Sequence, residues 1–370
     1  MIIGVPKEKK PEENRVALTP AGAEILKRNG HQVLVESGAG SASGFEDAAY
    51  AGFGAEITDG GEDIFQQAEM LLRVKAPQPD EFELIRERQI YFSYLHLAAS
   101  PAVTQAFIDR KAVAIAYETI EKTDGSLPLL TPMSEVAGPM AVQESAKYLE
   151  MAQGGHGVLL GGVPGVDPGT VVILGGGKVG LNAAKKAGGM GAKVYVLEIN
   201  PERLRYLSDA LLPNCISLMS NPSDIRDLIG RADVVIGAVL IPGSKTPVLV
   251  SAEMVRSMRK GSVLVDVSID QGGCFETSRE TSHADPVYML DGVVHYAVSN
   301  MPGAVPKTST LALSNATLPY VLRIAGRGWR TAARETPEIK RGINAVDGKV
   351  TYRGVADAFG LEYTPVDECE

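Results

Sequence analysis

TVVILGGGKVGLNAAKKAGGMGAKVYVLEIN, residues Thr170 to Asn200, is the stretch that decides the fold of this chain. Thr170–Leu174 is an apolar, β-branched run of the kind buried in a parallel sheet. Gly175, Gly177 and Gly180 follow at GxGxxG spacing. In that spacing the first glycine permits a tight turn, the second lets the backbone approach a pyrophosphate, and the third lets helix and strand pack closely. The helix after the turn offers N–H groups and the positive end of its dipole to an anion. Val194–Leu197 reads as the next strand, and Glu198 closes it, 18 residues after Gly180. A carboxylate there accepts hydrogen bonds from both ribose hydroxyls and repels a 2′-phosphate, which favours NAD over NADP. GxGxxG alone is a weak signal. The strand before it, the helix after it and the acid at the right distance separate this stretch from a merely structural βαβ turn.

The rest of the composition suits a soluble enzyme. A chain of 370 residues can hold two domains of ordinary size, and 45% hydrophobic with 22% charged residues is globular. A formal net charge of -9 argues against nucleic acid or an anionic membrane as partner. No uninterrupted apolar run reaches the ~18 residues of a membrane span. The opening MIIGVPKEKK meets charges too early for a signal peptide. Cys215, Cys274 and Cys369 lack CxxC or zinc spacing, which suits a reducing cytoplasm. The five histidines include no HExxH. A cytoplasmic enzyme is the expectation.

Strand and helix alternate on both sides of the glycine turn. Before it, Ile2–Val5, Gln32–Glu36, Met70–Val74, Gln89–Tyr94 and Ala112–Ala116 read as strands. Pro20–Arg28, Asp59–Gln67 and Asp80–Arg86 read as helices, and Ser134–Met151 as a long one. Gln153–Gly169 is a glycine- and proline-rich loop or hairpin. After Glu198 come Pro201–Leu212 and Ser251–Met258 as helices, with Asp233–Ala238, Ser262–Val267 and Val293–Val298 as strands. Lys307–Ile324 is a further helix that leads the chain back, and Thr336–Phe359 a small tail. The expected fold is α/β with two doubly wound domains: a Rossmann NAD-binding domain over residues 131–306, inserted into a split substrate domain of residues 1–130 and 307–370.

In open parallel sheets, ligands bind beyond the carboxyl ends of the strands. Three segments of the first half place unusual residues there. Ile2–Val5 runs into a charged loop carrying Arg15, Met70–Val74 delivers Lys75, and Gln89–Tyr94 delivers His96. Two cations and a histidine suit a small anionic substrate: arginine clamps a carboxylate through parallel hydrogen bonds, lysine is a point charge, and histidine exchanges protons near neutrality. Each has a plainer reading. Arg15 stands among Lys7, Glu8, Lys9, Lys10, Glu12 and Glu13 and is compatible with a solvated charge run. Lys75 can be the polar stop of a strand, and His96, between Leu95 and Leu97, a half-buried structural histidine. In the second half, Asp270 follows a strand and either faces the nicotinamide cleft or caps the turn before Gly272 and Gly273. Asp266, within the apolar strand, reads as a structural hydrogen-bonding group, and Met301 as a cleft wall or a loop anchor.

Several long motifs carry a resemblance to a known family. GVPKEKKPEENRVALTP (Gly4–Pro20), AYETIE (Ala116–Glu121), LPLLTPMSEVAG (Leu127–Gly138) and GGVPGVDPGTVVILGGGKVG (Gly161–Gly180) resemble the alanine dehydrogenase family, which also contains the NAD-binding subunit of transhydrogenase. DVSIDQGGCFET (Asp266–Thr277) and HYAVSNMPGAVPKTST (His295–Thr310) extend the resemblance over almost the whole chain. It implies reversible, NAD-dependent oxidative deamination of L-alanine to pyruvate and ammonia. Arg15 and Lys75 would bind the substrate's carboxylate and carbonyl oxygen, His96 would act as general acid and base, and Asp270 would take part in catalysis. Beside the three glycines, the cofactor positions implied are Ser134, Lys178, Val179, Glu198, Arg203 and Ser220. Val239, Leu240, Val267, Ile269, Asp270, Arg279, Val298 and Met301 complete that set. The resemblance further implies a homohexamer, a cleft that closes between two domains, and no nucleic-acid or membrane partner.

The chain departs from the family pattern in three places. Glu198 stands where the acid is usually aspartate, and Arg203, with Arg205 nearby, where lysine is frequent. Some members carry a metal on the late helix through an acid and a histidine; Arg323 and Arg327 stand in that region here, so no metal is expected. Competing readings are the transhydrogenase subunit, which would have an Arg- and Gln-rich segment in place of AYETIEKTDGSLPLL and no need of His96, a non-catalytic NAD-binding protein, and a saccharopine-type dehydrogenase with a longer pocket.

Overall fold

Two runs of alternating strand and helix give this chain two separate sheets. A computed structural model describes residues 1–240 and 245–369. The chain divides into two units, Met1–Met133 with Val305–Glu370, and Ser134–Ala304. The fold class is α/β, doubly wound in each unit.

The first unit begins with β1 (Ile2–Val5), β2 (Gln32–Glu36), β3 (Glu56–Thr58), β4 (Met70–Lys75), β5 (Ile90–Tyr94) and β6 (Val113–Ala116). They lie parallel in the order β3-β2-β1-β4-β5-β6. The chain therefore winds one way from β1 and then the other, and the switch point falls between β1 and β4. β5 and β6 are buried along their whole length, as strands covered on both faces must be. The register of β4 against β5 shifts between Leu72 and Lys75, which sets Lys75 opposite Tyr94. That irregularity carries the strand one residue beyond the expected Val74.

The second unit holds β7 (Thr170–Leu174), β8 (Lys193–Glu198), β9 (Cys215–Met219), β10 (Val234–Gly237), β11 (Val263–Asp266), β12 (Val287–Leu290) and β13 (Val293–Tyr296). Their order is β12-β13-β11-β10-β7-β8-β9, with only β12 antiparallel among the described strands of this sheet. The switch point lies beside β7, so the glycine turn after Leu174 opens at the crevice between β7 and β10. Val171–Leu174, β10 and β11 form the apolar centre of this sheet.

Several elements differ from expectation. β3, β9 and β12 are edge strands whose exposed faces erase the apolar signal. Asp80–Arg86 is a short 3₁₀ segment, Pro79–Leu84, closed by a bond from the Gln78 N–H to Glu81 Oε2 at 2.8 Å. The long helix runs over Thr131–Tyr148, and Lys307–Ile324 extends to Pro306–Arg327. Helices Pro101–Arg110 and Pro222–Ile229, not expected from the sequence, follow the proline-at-start rule. The tail is no appendage: β14 (Ile343–Val346) pairs antiparallel with β6, and β15 (Lys349–Val350) pairs with β14, giving the first unit an eight-stranded sheet among the described residues.

Candidate active site

In the first unit, β1, β4 and β5 are adjacent strands: Arg15 lies on the loop after β1, Lys75 is the last residue of β4, and His96 stands two residues beyond β5. The Arg15 loop is pinned from the returning helix. The Val16 N–H donates to Thr310 Oγ1 at 3.1 Å, and Thr310 Oγ1 lies 2.9 Å from Ser43 Oγ, which donates to the Asn14 carbonyl. Arg15 is 2% exposed, which removes the solvated reading. Its Nε and Nη2 donate to the two oxygens of Glu13 at 2.7 and 2.5 Å, and Nη1 lies 3.0 Å from Met133 Sδ. Burial works to raise the Glu13 carboxyl, but the hydrogen bonds and charge of Arg15, with the charge of Lys75, hold it below its ordinary value. Glu13, read in the sequence as part of a charge run, is thus a brace that fixes the guanidinium of Arg15.

A second buried network sits under Lys75. Arg73, fully buried, donates through Nε to Glu8 Oε1 at 3.1 Å and through Nη1 to Glu81 Oε1 at 2.9 Å. Glu8 also accepts the N–H groups of Val74 and Lys75 at 2.6 and 3.3 Å. Burial pushes the Glu8 carboxyl above its ordinary value despite the nearby Arg73 charge. Beyond β5, Leu95 and Leu97 are each 1% exposed while His96 between them is exposed, with backbone φ 48 and ψ 42. The half-buried reading of His96 does not hold. Tyr94 links the group: its ring stacks near the His96 ring at 6.2 Å, and its hydroxyl donates to the Leu129 carbonyl at 2.5 Å.

In the second unit, Gly175 has φ +98, a conformation an L side chain rarely adopts. A Cβ on Gly180 would stand 1.9 Å from the Gly175 carbonyl oxygen, so only glycine lets the helix start this close to the strand. A Cβ on Gly177 would meet nothing within 4 Å. Its side of the turn is open, and helix Lys178–Gly189 has no side-chain cap on its first N–H groups. These residues fit a pyrophosphate. Glu198 Oε2 accepts the Gly176 N–H at 2.9 Å, and Oε1 accepts those of Ile199 and Asn200 at 2.8 and 3.0 Å. Its carboxylate is therefore fixed at the turn, where a ribose would lie. Arg203, on helix Pro201–Ala210, donates from Nε to the Gly176 carbonyl at 2.6 Å and from Nη2 to that of Gly177 at 3.2 Å. Arg205 pairs with Glu202.

The other implied cofactor residues gather at the carboxyl ends of the same sheet. Ser220 follows β9, Val239 and Leu240 follow β10, Val267, Ile269 and Asp270 follow β11, and Val298 and Met301 follow β13. Asp270 is exposed on the turn Ile269–Gln271. Asp266 beneath it is fully buried and accepts from the Ser268 and Cys274 N–H groups, each at 3.1 Å, and from Ser278 Oγ at 2.6 Å, the structural role expected. Burial raises its carboxyl. Arg279 lies over the Tyr288 ring at 4.1 Å, and Tyr288 stacks on buried His295 at 4.9 Å. Ser134 stands apart on helix Thr131–Tyr148. Among the described residues no three His, Cys, Asp or Glu side chains gather to hold a metal.

Two outcomes test these placements. Arg15→Lys keeps the charge and loses the fork, so the Michaelis constants for pyruvate and alanine should rise by roughly 10- to 100-fold, the worth of one charge-assisted bond. NADH affinity, measured by fluorescence, should hold; weakened NADH binding with unchanged pyruvate kinetics would exclude Arg15 from substrate binding. Glu198→Ala should narrow the ratio of kcat/KM for NAD over NADP, because repulsion of a 2′-phosphate is removed. A ratio equal to that of the parent protein would place selectivity elsewhere.

Comparison with known proteins agrees with this architecture. Family models described as alanine dehydrogenase/PNT match residues 4–137 with the N-terminal domain and residues 141–353 with the C-terminal domain. An alanine dehydrogenase of Methanococcus maripaludis is 55% identical over 100% of this chain and 99% of its own length. A solved L-alanine dehydrogenase superposes with TM-score 0.95 at 48% identity, covering 97% of this chain and 99% of that one. A transhydrogenase from Sinorhizobium meliloti, 23% identical, covers 95% of this chain and 99% of its own with TM-score 0.82, a likeness of fold. With both of its halves matched and its whole length shared with such relatives, the chain belongs to the alanine dehydrogenase/PNT family.

Proposed function

We propose that this chain catalyses the reversible, NAD-dependent oxidative deamination of L-alanine to pyruvate and ammonia. The observation that carries the reading is the set Arg15, Lys75 and His96 at the ends of three neighbouring strands, in a chain that also builds a dinucleotide turn. Full-length identity to alanine dehydrogenase, well above that to the transhydrogenase, supports the choice of substrate. Substrate binding is assigned to residues 1–130 and 307–370, and cofactor binding to residues 131–306.

NAD, when bound, supplies the electron acceptor for the hydrogen on the alanine Cα. The chain's own residues do the rest. Arg15, rigid against Glu13, clamps the substrate carboxylate. His96 takes a proton from the water that adds at the oxidised carbon and returns one to the departing nitrogen, so ammonia leaves and a carbonyl remains. Lys75 holds a fixed positive charge beside the oxygen developing there. Asp270, on its exposed turn at the end of β11, orients water or substrate. The implied cofactor residues beyond the strands of the second sheet hold the dinucleotide, with Glu198 on the adenosine ribose.

We further propose a homohexamer in the cytoplasm. Met151, Leu159, Val163 and Val166 are 79%, 67%, 52% and 63% exposed on and beside the segment 153–169, a density of bare apolar side chains that favours burial by another copy. Cys215, Cys274 and Cys369 are all free thiols, as a reducing compartment requires. No described helix is long and apolar enough to cross a membrane. Sedimentation would report six chains, and a monomer would overturn the oligomer. For the reaction itself, alanine deuterated at Cα should deliver its label to the nicotinamide ring. Label released into water instead would exclude direct transfer.

A further inference from the structure

We propose that Glu118 is a positioning residue for this reaction: its carboxylate holds the backbone at His96 in a left-handed conformation and so sets where the imidazole stands. The inference rests on the reading of His96 as the acid–base group. The backbone of His96, φ 48 and ψ 42, breaks the strand after Tyr94, and its side chain stands exposed between buried Leu95 and Leu97. For an L residue that left-handed conformation costs about 1–2 kcal/mol and persists only where the surroundings impose it.

Glu118 is the group that imposes it. Its Oε1 accepts the His96 N–H at 2.5 Å and its Oε2 accepts the Leu95 N–H at 3.3 Å, a fork across two successive peptide groups. A hydrogen bond to a charged acceptor contributes about 1.5–3 kcal/mol, enough to offset the strain. Glu118 itself stands on a fixed platform. It follows β6, the strand beside β5, on the turn Tyr117–Thr119. Tyr117 is fully buried with its ring 4.4 Å from that of Phe92 and 5.0 Å from that of Tyr94. Thr119 Oγ1 accepts from Asn344 Nδ2 of β14 at 2.6 Å. Past His96, Leu97 is held by Thr104 Oγ1, which donates to its carbonyl at 2.9 Å. The neighbouring strand end repeats the device, with Glu8 accepting the amides of Val74 and Lys75. Two acid-braced strand ends side by side point to positioning of the residues they carry.

A double-mutant cycle tests the proposal in the full-length protein: Glu118→Ala, His96→Ala and the pair, with kcat, KM, NADH affinity and melting temperature measured for each. Glu118→Ala should lower kcat by roughly 10- to 100-fold, the loss expected from a catalytic group displaced by about 1 Å, with NADH affinity retained. In the His96→Ala background the same change should cost less than about twofold, because there is no imidazole left to misplace. An equal loss in both backgrounds, or an unchanged kcat in the single variant, would overturn the proposal. Should Glu118→Ala fail to fold, Glu118→Gln, which keeps one acceptor oxygen, carries the same cycle. Unchanged turnover in His96→Ala would remove the acid–base reading first and this one with it; loss there with none at Glu118 would remove only the brace.

Discussion

Replacing His96 with alanine should lower turnover by about 10²–10⁴-fold, the usual contribution of a positioned acid–base group. Fold and NADH binding should survive, because the side chain is exposed and the buried residues on either side, Leu95 and Leu97, are untouched. Alanine is no better suited than histidine to the left-handed backbone, so the melting temperature should change little. The pH–rate profile should also lose the limb that reports this acid–base group. Turnover preserved per folded molecule would remove His96 from the mechanism and leave Asp270 as the remaining candidate.

Arg73→Met should destabilise the protein by about 3–5 kcal/mol, the cost of stripping the partner from a buried charge network. Arg73 is fully buried between Glu8 and Glu81, and the variant would leave both carboxylates inside without a guanidinium. Burial already pushes Glu8 upward with Arg73 present, and without it the folded-state value rises further above the unfolded one. A raised value means that the folded variant binds more protons than the unfolded chain, so stability is lost as pH rises through that value. The deficit should therefore be largest near neutrality and shrink as the solution is acidified. Denaturant titrations at several pH values measure it; a deficit below about 1 kcal/mol at neutral pH would show that the network is dispensable.

How much of this was legible in the sequence depended on how local each signal is. The strand, glycine turn, helix and acid from Thr170 to Glu198 are defined by neighbours within one βαβ unit, and the structure has them where the sequence puts them. β9 and β12 were invisible because edge strands lack a continuous apolar run, and their pairing partner decides them. β14 is buried along its length inside the sheet, but so short a strand owes its place to β6, far away in sequence, and β15 owes its place to β14. Arg15, Lys75 and His96 could be singled out because each follows an apparent strand. Their braces could not. Nothing in a run of alternating charges distinguishes Glu8 and Glu13 from solvated neighbours until Arg73, 65 residues beyond Glu8, pairs with Glu8 and buried Arg15 pairs with Glu13. Glu118 lay within a motif quoted for resemblance, and the one available signal was an acid just past the strand Ala112–Ala116. The role of Arg203 was also a matter of geometry, because only the folded turn shows its guanidinium on the carbonyls of Gly176 and Gly177.

Coupling of alanine oxidation to NAD is the activity this chain should show. It is tested most directly by mixing the purified protein with L-alanine and NAD, following the nicotinamide absorbance, and assaying pyruvate and ammonia in the same vessel. NADH, pyruvate and ammonia should appear in equal amounts, faster with NAD than with NADP, and addition of ammonia and pyruvate to NADH should run the reaction backward. Tight NADH binding with no alanine-dependent reduction of NAD would contradict the account.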